Sequence, residues 1–205
     1  MSDFSDFLEI QTRTAWGRTL AEFAEWCAPQ AGTRALDVGC GPGLFPQLLT
    51  SRYRVQAIGL DADFGLLRSA PAKFSATQAD ANFLPFSPAA FDFVTAANLI
   101  FLLADPRQAL MEVYRVLRPG GALMLLNPSE KLTVSAALAL ADTRGLAGKS
   151  RASLLGWAHN AEKYGGWSAE VAYNLHMSCG FELSETILRV GPGFARLTRA
   201  RKPLL

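Results

Sequence analysis

The chain opens with a helical pattern of apolar residues. Between residues 4 and 27 the apolar side chains recur mostly at intervals of three or four, which places them on one face of an amphipathic helix. Pro29 and Gly32 then end the pattern. The apolar positions are Phe4, Phe7, Leu8, Trp16, Leu20, Phe23 and Cys27. We predict a leading helical segment within residues 1–30.

Short β-type runs follow, and helical stretches separate most of them. The β-type runs are residues 34–38, 55–60, 74–78, 91–96 and 122–126, and the helical stretches are 44–51, 62–70 and 106–117. The sequence Arg118-Pro119-Gly120-Gly121 ends the last of these helices. The alternation predicts right-handed crossovers and a mostly parallel sheet covered on both faces.

The end of the chain has a different pattern. A helix over 171–179 is followed by two extended runs, 182–190 and 194–201, which only Gly191-Pro192-Gly193 connects. Because three residues can connect only antiparallel neighbours, we predict that the sheet finishes with an antiparallel hairpin.

Residues 128–166 form an insertion between the fifth strand and the next core helix, where about 2 to 6 residues would suffice. Its apolar residues fall in helical patterns, which predicts two helices with Gly145 and Gly148 between them. Two interpretations stay open. The helices either cover the core or form a lid over a substrate cavity, and their position after the carboxyl end of a strand favours the lid.

Composition narrows the class of protein. The chain has 205 residues and a formal net charge of +2, and 50% of its residues are hydrophobic. We predict a single domain over residues 1–205 and exclude a strongly cationic nucleic-acid coat. No apolar run approaches the roughly 20 residues of a membrane span, and the acidic start lacks an export signal. We therefore expect a cytoplasmic protein that is not bound to a membrane.

The three cysteines do not predict a covalent or metal framework. Cys27, Cys40 and Cys179 are odd in number and lack paired spacing. We therefore predict neither a disulfide network nor a structural metal site, in keeping with a reducing compartment.

The strongest chemical signal is an apolar strand that runs into a glycine-rich turn, residues 35–43. Gly39 and Gly41 allow the backbone to turn and to approach a ligand, since no Cβ intervenes. A dinucleotide-binding fingerprint would place its third glycine at Leu44. The negative charge of Asp37, just before the turn, would also repel a pyrophosphate and suits a cationic ligand instead.

Two further acids follow the next strands. Asp61 lies 22 residues after Gly39, near the spacing of about 20 that places a carboxylate against ribose hydroxyls. The alternative is a helix N-cap, a role that Asp61 or Asp63 could fill. Asp80 can accept a hydrogen bond from an exocyclic amine while the Ala81 N–H donates to a ring nitrogen; taken alone, it would be an ordinary loop acid.

In this order the motifs resemble those of class I S-adenosylmethionine-dependent methyltransferases. They are residues 37–43, Gly59-Leu60-Asp61, Asp80-Ala81, Phe91-Asp92-Phe93-Val94 and residues 117–121. The resemblance covers roughly residues 34 to 127 and is nearest to the small-molecule branch called methyltransferase type 11. It implies an α/β, Rossmann-like, doubly wound sheet of seven strands in the order 3-2-1-4-5-7-6, parallel except for the last strand.

The resemblance also implies S-adenosyl-L-methionine as cofactor. By this resemblance the glycines lie under the methionine part, Asp37 stands near its amino group, Asp61 holds the ribose, and Asp80 with Ala81 holds the adenine. The predicted cofactor-binding residues are Asp37, Gly39, Cys40, Gly41, Gly43, Asp61, Ala62, Asp80, Ala81 and Asn98.

Methyl transfer needs no obligatory acid or base, because the donor is already activated and positioning supplies most of the catalysis. The candidate catalytic residues are Asn98, His159 and Tyr164. Asn98 lies after the fourth strand and either orients a ligand or serves as a loop amide. Leu99 and Ile100 follow it, which disfavours the Asn-Pro-Pro-aromatic motif of DNA and protein amide methylators.

The candidates in the insertion have structural alternatives. His159 is the only plausible imidazole base there, but it can equally be a surface residue, and we expect His176 to be structural. Trp157, Tyr164 and Trp167 either line an acceptor cavity or simply pack. In the leading helix, Arg13 and Trp16 are candidates to reach the carboxylate of the cofactor.

The last seventeen residues, 189–205, are basic and contain no acid. The cations either contact RNA or protect an edge strand from aggregation, and the lack of interleaved aromatics favours protection. Nucleic acid is therefore not the expected partner, and the family resemblance implies a small-molecule methyl acceptor. A protein that binds the cofactor without transferring methyl stays an alternative, whereas Leu44 and Asp37 disfavour a nicotinamide oxidoreductase.

Overall fold

In the computed structural model, residues 9, 12, 14–70 and 74–204 are described; Phe4, Phe7, Leu8 and Arg13 lie outside them. The helices are α1 Ala15–Cys27, α2 Leu44–Tyr53, α3 Phe64–Arg68, α4 Pro106–Val116, α5 Val134–Thr143, α6 Gly148–Tyr164 and α7 Ala169–Ser178, with a 3₁₀ helix at Ile100–Leu102. The strands are β1 Arg34–Val38, β2 Gln56–Asp61, β3 Ser75–Gln78, β4 Phe91–Ala97, β5 Leu117–Pro128, β6 Glu182–Arg189 and β7 Ala195–Arg201.

All seven strands form one sheet in the order β3-β2-β1-β4-β5-β7-β6. The neighbours among β1 to β5 pair in parallel, whereas β7 pairs antiparallel with both β5 and β6. The predicted strand order and the closing hairpin are therefore confirmed. Because the carboxyl ends of β1 to β5 meet at one edge, the loops that follow them share that edge.

Two predicted boundaries are wrong for local reasons. Helix α3 has only five residues instead of spanning 62–70, because the Asp63 carboxylate caps it by accepting from Gly65 N and Leu66 N. Pro71 also disfavours helix at the residue before it. Helix α4 ends at Val116, and the Arg118–Gly121 turn lies within β5, which pairs irregularly with β4 between Phe91 and Phe93.

The core lies on both faces of the sheet. On one face, α1 and α2 bury Phe23, Phe45 and Leu49 against side chains of β1, β4, β5 and β7. On the other face, α4 and α7 bury a second layer that includes Leu110 and Phe181. Alternate residues of β4 and β5 serve the two layers, as period-two side-chain direction requires.

The insertion forms a smaller third cluster next to this core. Leu132, Ala137 of α5, and Ala158 and Ala161 of α6 pack with Phe194 at the start of β7. Gly145 lies between the two helices as predicted, whereas Gly148 is already the first residue of α6. Helix α6 contacts β5 and the 3₁₀ helix that follows β4, and α5 packs on α6.

The basic end of the chain does not lie on an edge strand, so that interpretation is wrong: β7 is enclosed by β5 and β6, and β6 forms the edge. Two of its arginine side chains instead contact other elements of the fold. Arg196 is 5% exposed, donates to both Glu130 carboxylate oxygens at 2.9 Å and bonds the Trp167 carbonyl. Arg199 lies 4.6 Å from the centre of the Trp26 ring and donates to the Trp26 carbonyl.

Within the described ranges, no helix combines the length and the apolar character that crossing a bilayer would require.

Candidate cofactor and acceptor site

The glycine loop, residues 39–43, connects β1 to α2. Each of its N–H groups already donates a hydrogen bond to another group of the protein. Gly39, Gly41 and Gly43 have positive φ angles of 72°, 55° and 82°. The N–H groups of Gly39 and Cys40 both donate to the Leu60 carbonyl, at 2.7 and 3.0 Å, and Gly43 donates to Cys40. A phosphate-binding loop needs such N–H groups free, so this loop does not form a pyrophosphate cradle.

The space that two glycines leave is filled by the protein itself. A Cβ at Gly39 would lie 3.0 Å from the Leu99 side chain, and a Cβ at Gly43 would overlap the Phe74 ring. At Gly39, where we expected a ligand to approach the backbone, the Leu99 side chain therefore occupies the place of the missing Cβ. The glycines are required because Leu99 and Phe74 pack closely against the loop.

Asp61 ends β2 with its carboxylate turned towards the glycine loop. One oxygen accepts from Gly41 N at 2.8 Å, and the other accepts from Asp63 N at 2.9 Å. Because Asp63 caps α3, Asp61 does not take that role. Each carboxylate oxygen has a further acceptor site, so Asp61 can still bind a diol.

Asp37 is buried in β1, with 3% of its surface exposed. Thr95, its register partner on β4, donates from its hydroxyl to Asp37 Oδ1 at 2.7 Å. Burial raises the pKa of Asp37 to about 7; the Thr95 hydrogen bond opposes this shift, and the nearby negative charge of Asp61 adds to it. A cation beside Asp37 would favour its ionised form.

Asp80 follows β3 and is exposed, and its Oδ1 accepts from the backbone and side-chain nitrogens of Asn82. The Ala79 N–H donates to the Asp61 carbonyl, which holds the end of β3 against the end of β2. Among the described residues, no acceptor meets the N–H of Ala81, whose side chain is buried. Asp80 and Ala81 thus present an acceptor and a donor close to Asp61.

Cys40 and Ala62 have no side-chain function at this edge. The Cys40 thiol is buried against Gly59, and burial raises its pKa, so it is a poor nucleophile. Ala62 is exposed, and its carbonyl accepts from Gln78 Nε2 at 3.1 Å.

Asn98 forms the corner that follows β4 and has a positive φ of 57°, a conformation that Asn tolerates better than most residues. Its N–H donates to the Leu126 carbonyl at 2.7 Å, and its Oδ1 accepts from the indole Nε1 of Trp157 at 3.0 Å. Asn98 does not cap the 3₁₀ helix, which begins after Leu99. Its side chain connects the sheet to α6.

Trp157 and Tyr164 lie on the same side of α6, because residues seven positions apart are two helical turns apart. The Trp157 ring meets the Trp16 ring of α1 edge to face, with centroids 5.8 Å apart. Tyr164 is 47% exposed and packs edge to face on Phe101 of the 3₁₀ helix, with centroids 6.5 Å apart. Trp157 therefore borders the Asn98 corner directly, and Tyr164 lies two turns further along α6.

His159 is exposed on α6, and its Nδ1 lies 2.8 Å from the Leu155 carbonyl of the same helix. A residue two positions after Trp157 points about 200° away from it around a helix. His159 therefore faces away from Asn98, and the geometry does not support it as a base there.

Two other candidate residues belong to the core. His176 is fully buried; its Nδ1 lies 2.6 Å from the Ala172 carbonyl, and burial lowers its pKa, so it is neutral and structural as predicted. Trp167 is 5% exposed and packs edge to face on His176, so it does not line a cavity.

The sequence analysis missed Thr95. The signal was available, because Thr95 is the polar residue between Val94 and Ala96 in an otherwise buried stretch of β4. Its register with Asp37, however, depends on how β1 pairs with β4. The contact of Trp157 with Asn98 was missed for the same reason, since 59 residues separate them.

A cavity of about 1270 Å³ lies at the opposite edge of the sheet and contains none of the predicted site residues. It is lined by Arg34, Gln56 and Phe91, which begin β1, β2 and β4. Ligands of parallel α/β sheets bind at the carboxyl ends of the strands, so this cavity is not the cofactor site.

The strand order, the glycine loop after β1 and the acids at the ends of β1, β2 and β3 together define the architecture of a class I methyltransferase. Comparison with known sequences agrees: residues 36–125 match the methyltransferase domain family. Over these residues the chain is therefore similar to the class I S-adenosylmethionine-dependent methyltransferases.

Curated relatives are similar over part of the chain. A malonyl-[acyl-carrier protein] O-methyltransferase of Legionella pneumophila is 35% identical over 101 residues, covering 46% of this chain and 36% of that protein. A ubiquinone/menaquinone biosynthesis C-methyltransferase of Roseobacter denitrificans is 34% identical over 137 residues, covering 62% of this chain and 53% of that protein. The chain thus spans between about a third and a half of these relatives.

Solved structures share the fold over nearly the whole chain. The complex of the Haloferax volcanii Trm112 methyltransferase activator with a methyltransferase contains a chain that matches with a TM-score of 0.76 and 18% identity, covering 98% of this chain and 95% of that one. A methyltransferase of Aquifex aeolicus matches with a TM-score of 0.67 and 16% identity, covering 98% and 100%. At such identities these matches describe the fold alone.

S-adenosylmethionine, the cofactor that this family implies, fits the chemistry of the residues present. The loop offers no free amide cradle for phosphate, whereas Asp37 and Asp61 offer carboxylates for a cation and a diol. Among the described residues the N–H of Ala81 has no acceptor, so it is available to a ring nitrogen of a ligand. A sulfonium nucleoside satisfies these groups better than a pyrophosphate would.

Proposed function

We propose that the protein transfers a methyl group from S-adenosylmethionine to a small-molecule acceptor. The observation that carries the proposal is the pairing of Asp61 with Gly41 N beside the buried Asp37, at a loop whose other amides are already bonded. This arrangement favours a cationic ligand with hydroxyl groups over a phosphate. The names of the curated relatives support a small acceptor, since they refer to acyl-carrier-bound malonyl and quinone biosynthesis.

The side chains of this protein would bind and orient the cofactor and the acceptor rather than exchange protons with them. When bound, the cofactor supplies a methyl group that is already activated on a positively charged sulfur. Asp37 and Asp61 would hold the cationic and ribose parts, so that the methyl faces the corner at Asn98. In this arrangement α6 and the 3₁₀ helix exclude water from the acceptor, and positioning supplies most of the rate acceleration.

Asp61→Ala tests the site, and Asp63→Ala is its matched control. Both changes remove a carboxylate from neighbouring positions, but Asp63 only caps α3. We expect Asp61→Ala to weaken S-adenosylhomocysteine binding by about 10-fold to 100-fold, because charge-assisted hydrogen bonds are lost, whereas Asp63→Ala leaves it nearly unchanged. Isothermal calorimetry measures both, with NAD as a ligand that should not bind.

A protein that binds the cofactor without transferring methyl is the second candidate. The orientation of His159 away from Asn98 favours it, since the described part of the chain then shows no imidazole at this corner. Turnover of labelled S-adenosylmethionine with a panel of phenols, quinols and carboxylic acids distinguishes the two. Methylated product excludes the binding protein; tight binding without product on any acceptor supports it.

A further inference from the structure

The side-chain amide of Asn98 has a defined orientation. The indole Nε1 of Trp157 can only donate, so the atom that it meets at 3.0 Å must be the amide oxygen. The amide nitrogen then points elsewhere with two N–H groups. Within the described residues it has no hydrogen-bond partner, and it is absent from the side-chain atoms that are sealed from solvent. Asn98 thus presents two unused donors.

These donors lie next to the cofactor loop. Leu99, the residue after Asn98, packs closely on Gly39. A Cβ added at Gly39 would lie 3.0 Å from the Leu99 side chain. The hydrogen bond from Asn98 N to the Leu126 carbonyl holds the corner against β5. A ligand at Asn98 is therefore adjacent to the loop that would carry the methionine part of the cofactor.

The surroundings of the amide are aromatic. Trp157 contacts Asn98 directly and meets Trp16 edge to face, and both indoles are half-buried. On the same side of α6, the exposed ring of Tyr164 packs on Phe101. Flat apolar walls of this kind bind planar apolar groups by stacking and by removing apolar surface from water.

We propose that Asn98 recognises the methyl acceptor by donating a hydrogen bond to an oxygen atom on a planar, apolar body. This inference rests on the proposed function and names its substrate class: a phenol, quinol or aryl carboxylate, each of which has a nucleophilic oxygen or ring carbon to take the methyl group. An ammonium group does not fit, because it has no lone pair for the amide N–H groups. Trp157 is a positioning residue, since its indole N–H orients the Asn98 amide.

Asn98→Asp tests the donors while it preserves the rest of the corner. The substituted side chain has the same shape, tolerates the positive φ and still accepts from the Trp157 indole, but it has no N–H group. Trp157→Phe is the second variant, because it keeps an aromatic ring and loses only the donor that orients the amide. Calorimetry with S-adenosylhomocysteine and the melting temperature show whether each variant keeps its cofactor affinity and its fold, which the comparison of acceptor probes requires.

Three naphthalene probes report on the acceptor site of the protein saturated with S-adenosylhomocysteine, by ligand-observed NMR titration. They are 2-acetylnaphthalene, which offers an oxygen, 2-ethylnaphthalene, which does not, and the cation 2-naphthylmethylammonium. We expect the wild type to bind the acetyl probe more tightly than the ethyl probe. Asn98→Asp should lower the affinity for the acetyl probe about tenfold, leave the affinity for the ethyl probe unchanged and raise the affinity for the ammonium probe. Trp157→Phe should lower the affinity for the acetyl probe by a smaller factor than Asn98→Asp does.

The inference is overturned if the wild type does not prefer the acetyl probe to the ethyl probe, or if Asn98→Asp binds the acetyl probe as tightly as the wild type does. Failure of the proposed cofactor site has a different signature, because S-adenosylhomocysteine itself then does not bind. A protein that binds the cofactor without transferring methyl is distinguished by the turnover experiment with labelled S-adenosylmethionine. If Asn98→Asp bound none of the three probes, that result would also contradict a hydrogen-bonding role, since binding of the ethyl probe needs no donor.

Discussion

Two regions share the carboxyl edge of the sheet, and they are built in different ways. At the ends of β2 and β3, the bonds join near neighbours, such as Asp61 to Gly41 and Asn82 to Asp80, which are 20 and 2 residues apart. At the end of β4, Asn98 meets Trp157 across 59 residues. The contrast shows why motifs reveal the proposed cofactor site, whereas the proposed acceptor site follows from packing.

One contact of the proposed cofactor site is also long-range. Asp37 receives its hydrogen bond from Thr95, which lies 58 residues further along the chain. The charge state of the most buried acid of the proposed cofactor site therefore depends on the pairing of β1 with β4. The following predictions test how far each region depends on its own packing.

The largest effect is expected on stability at the glycine loop. Gly43→Ala places a Cβ into the Phe74 ring at a φ of 82°, so we expect the free energy of unfolding to fall by about 3 kcal/mol. Gly156→Ala is the matched control, since Gly156 lies within α6 and nothing surrounds its missing Cβ. That change should stabilise the protein by about 0.5–1 kcal/mol. Urea denaturation measures both; equal effects would contradict the packing explanation.

The next effect concerns pH and Asp37. Because burial raises its pKa from 3.8 to about 7, the folded state holds the proton more tightly than the unfolded state. The stabilisation from this group is complete below pH 4 and is lost as pH rises to about 7, with a slope on the order of 1 kcal/mol per pH unit. Denaturant titrations between pH 4.5 and 8 of wild type and Asp37→Asn isolate the contribution.

The same linkage predicts that binding of a cationic cofactor releases a proton from Asp37. The affinity for S-adenosylmethionine should therefore rise between about pH 5.5 and 7.5 in the wild type. The rise should be absent in Asp37→Asn. Calorimetry in buffers of different ionisation enthalpy detects the released proton, and a pH-independent affinity in the wild type would argue against the assignment of Asp37.

The smallest effect is expected for Thr95→Val, which removes the hydroxyl that stabilises the ionised Asp37. Its loss should move the pH dependence of cofactor affinity upwards, with a change of about 1 kcal/mol at neutral pH. The same titrations as for Asp37→Asn measure it. An unchanged profile would show that this long-range contact does not influence the ionisation of Asp37.

Much of the architecture could be predicted because its signals are local. The alternation of short β-runs with helices predicted a mostly parallel sheet, and three residues between 182–190 and 194–201 required an antiparallel hairpin. The strand order itself was implied by the resemblance to class I methyltransferases. The boundaries of α3 and of β5 were less predictable. They depend on which aspartate caps the helix and on an irregular pairing with β4, and neither has a periodic pattern.

The amino-acid sequence by itself determined the fold and the set of acids at the strand ends, because turns, strand periodicity and motif spacing act over a few residues. Only the tertiary structure decided which groups each acid and amide meets. Thr95 reaches Asp37 through strand register, Trp157 orients Asn98 through helix packing, and Leu99 and Phe74 occupy the space beside the glycines. These contacts join residues that are distant in the chain, and folding alone brings such residues within hydrogen-bonding distance.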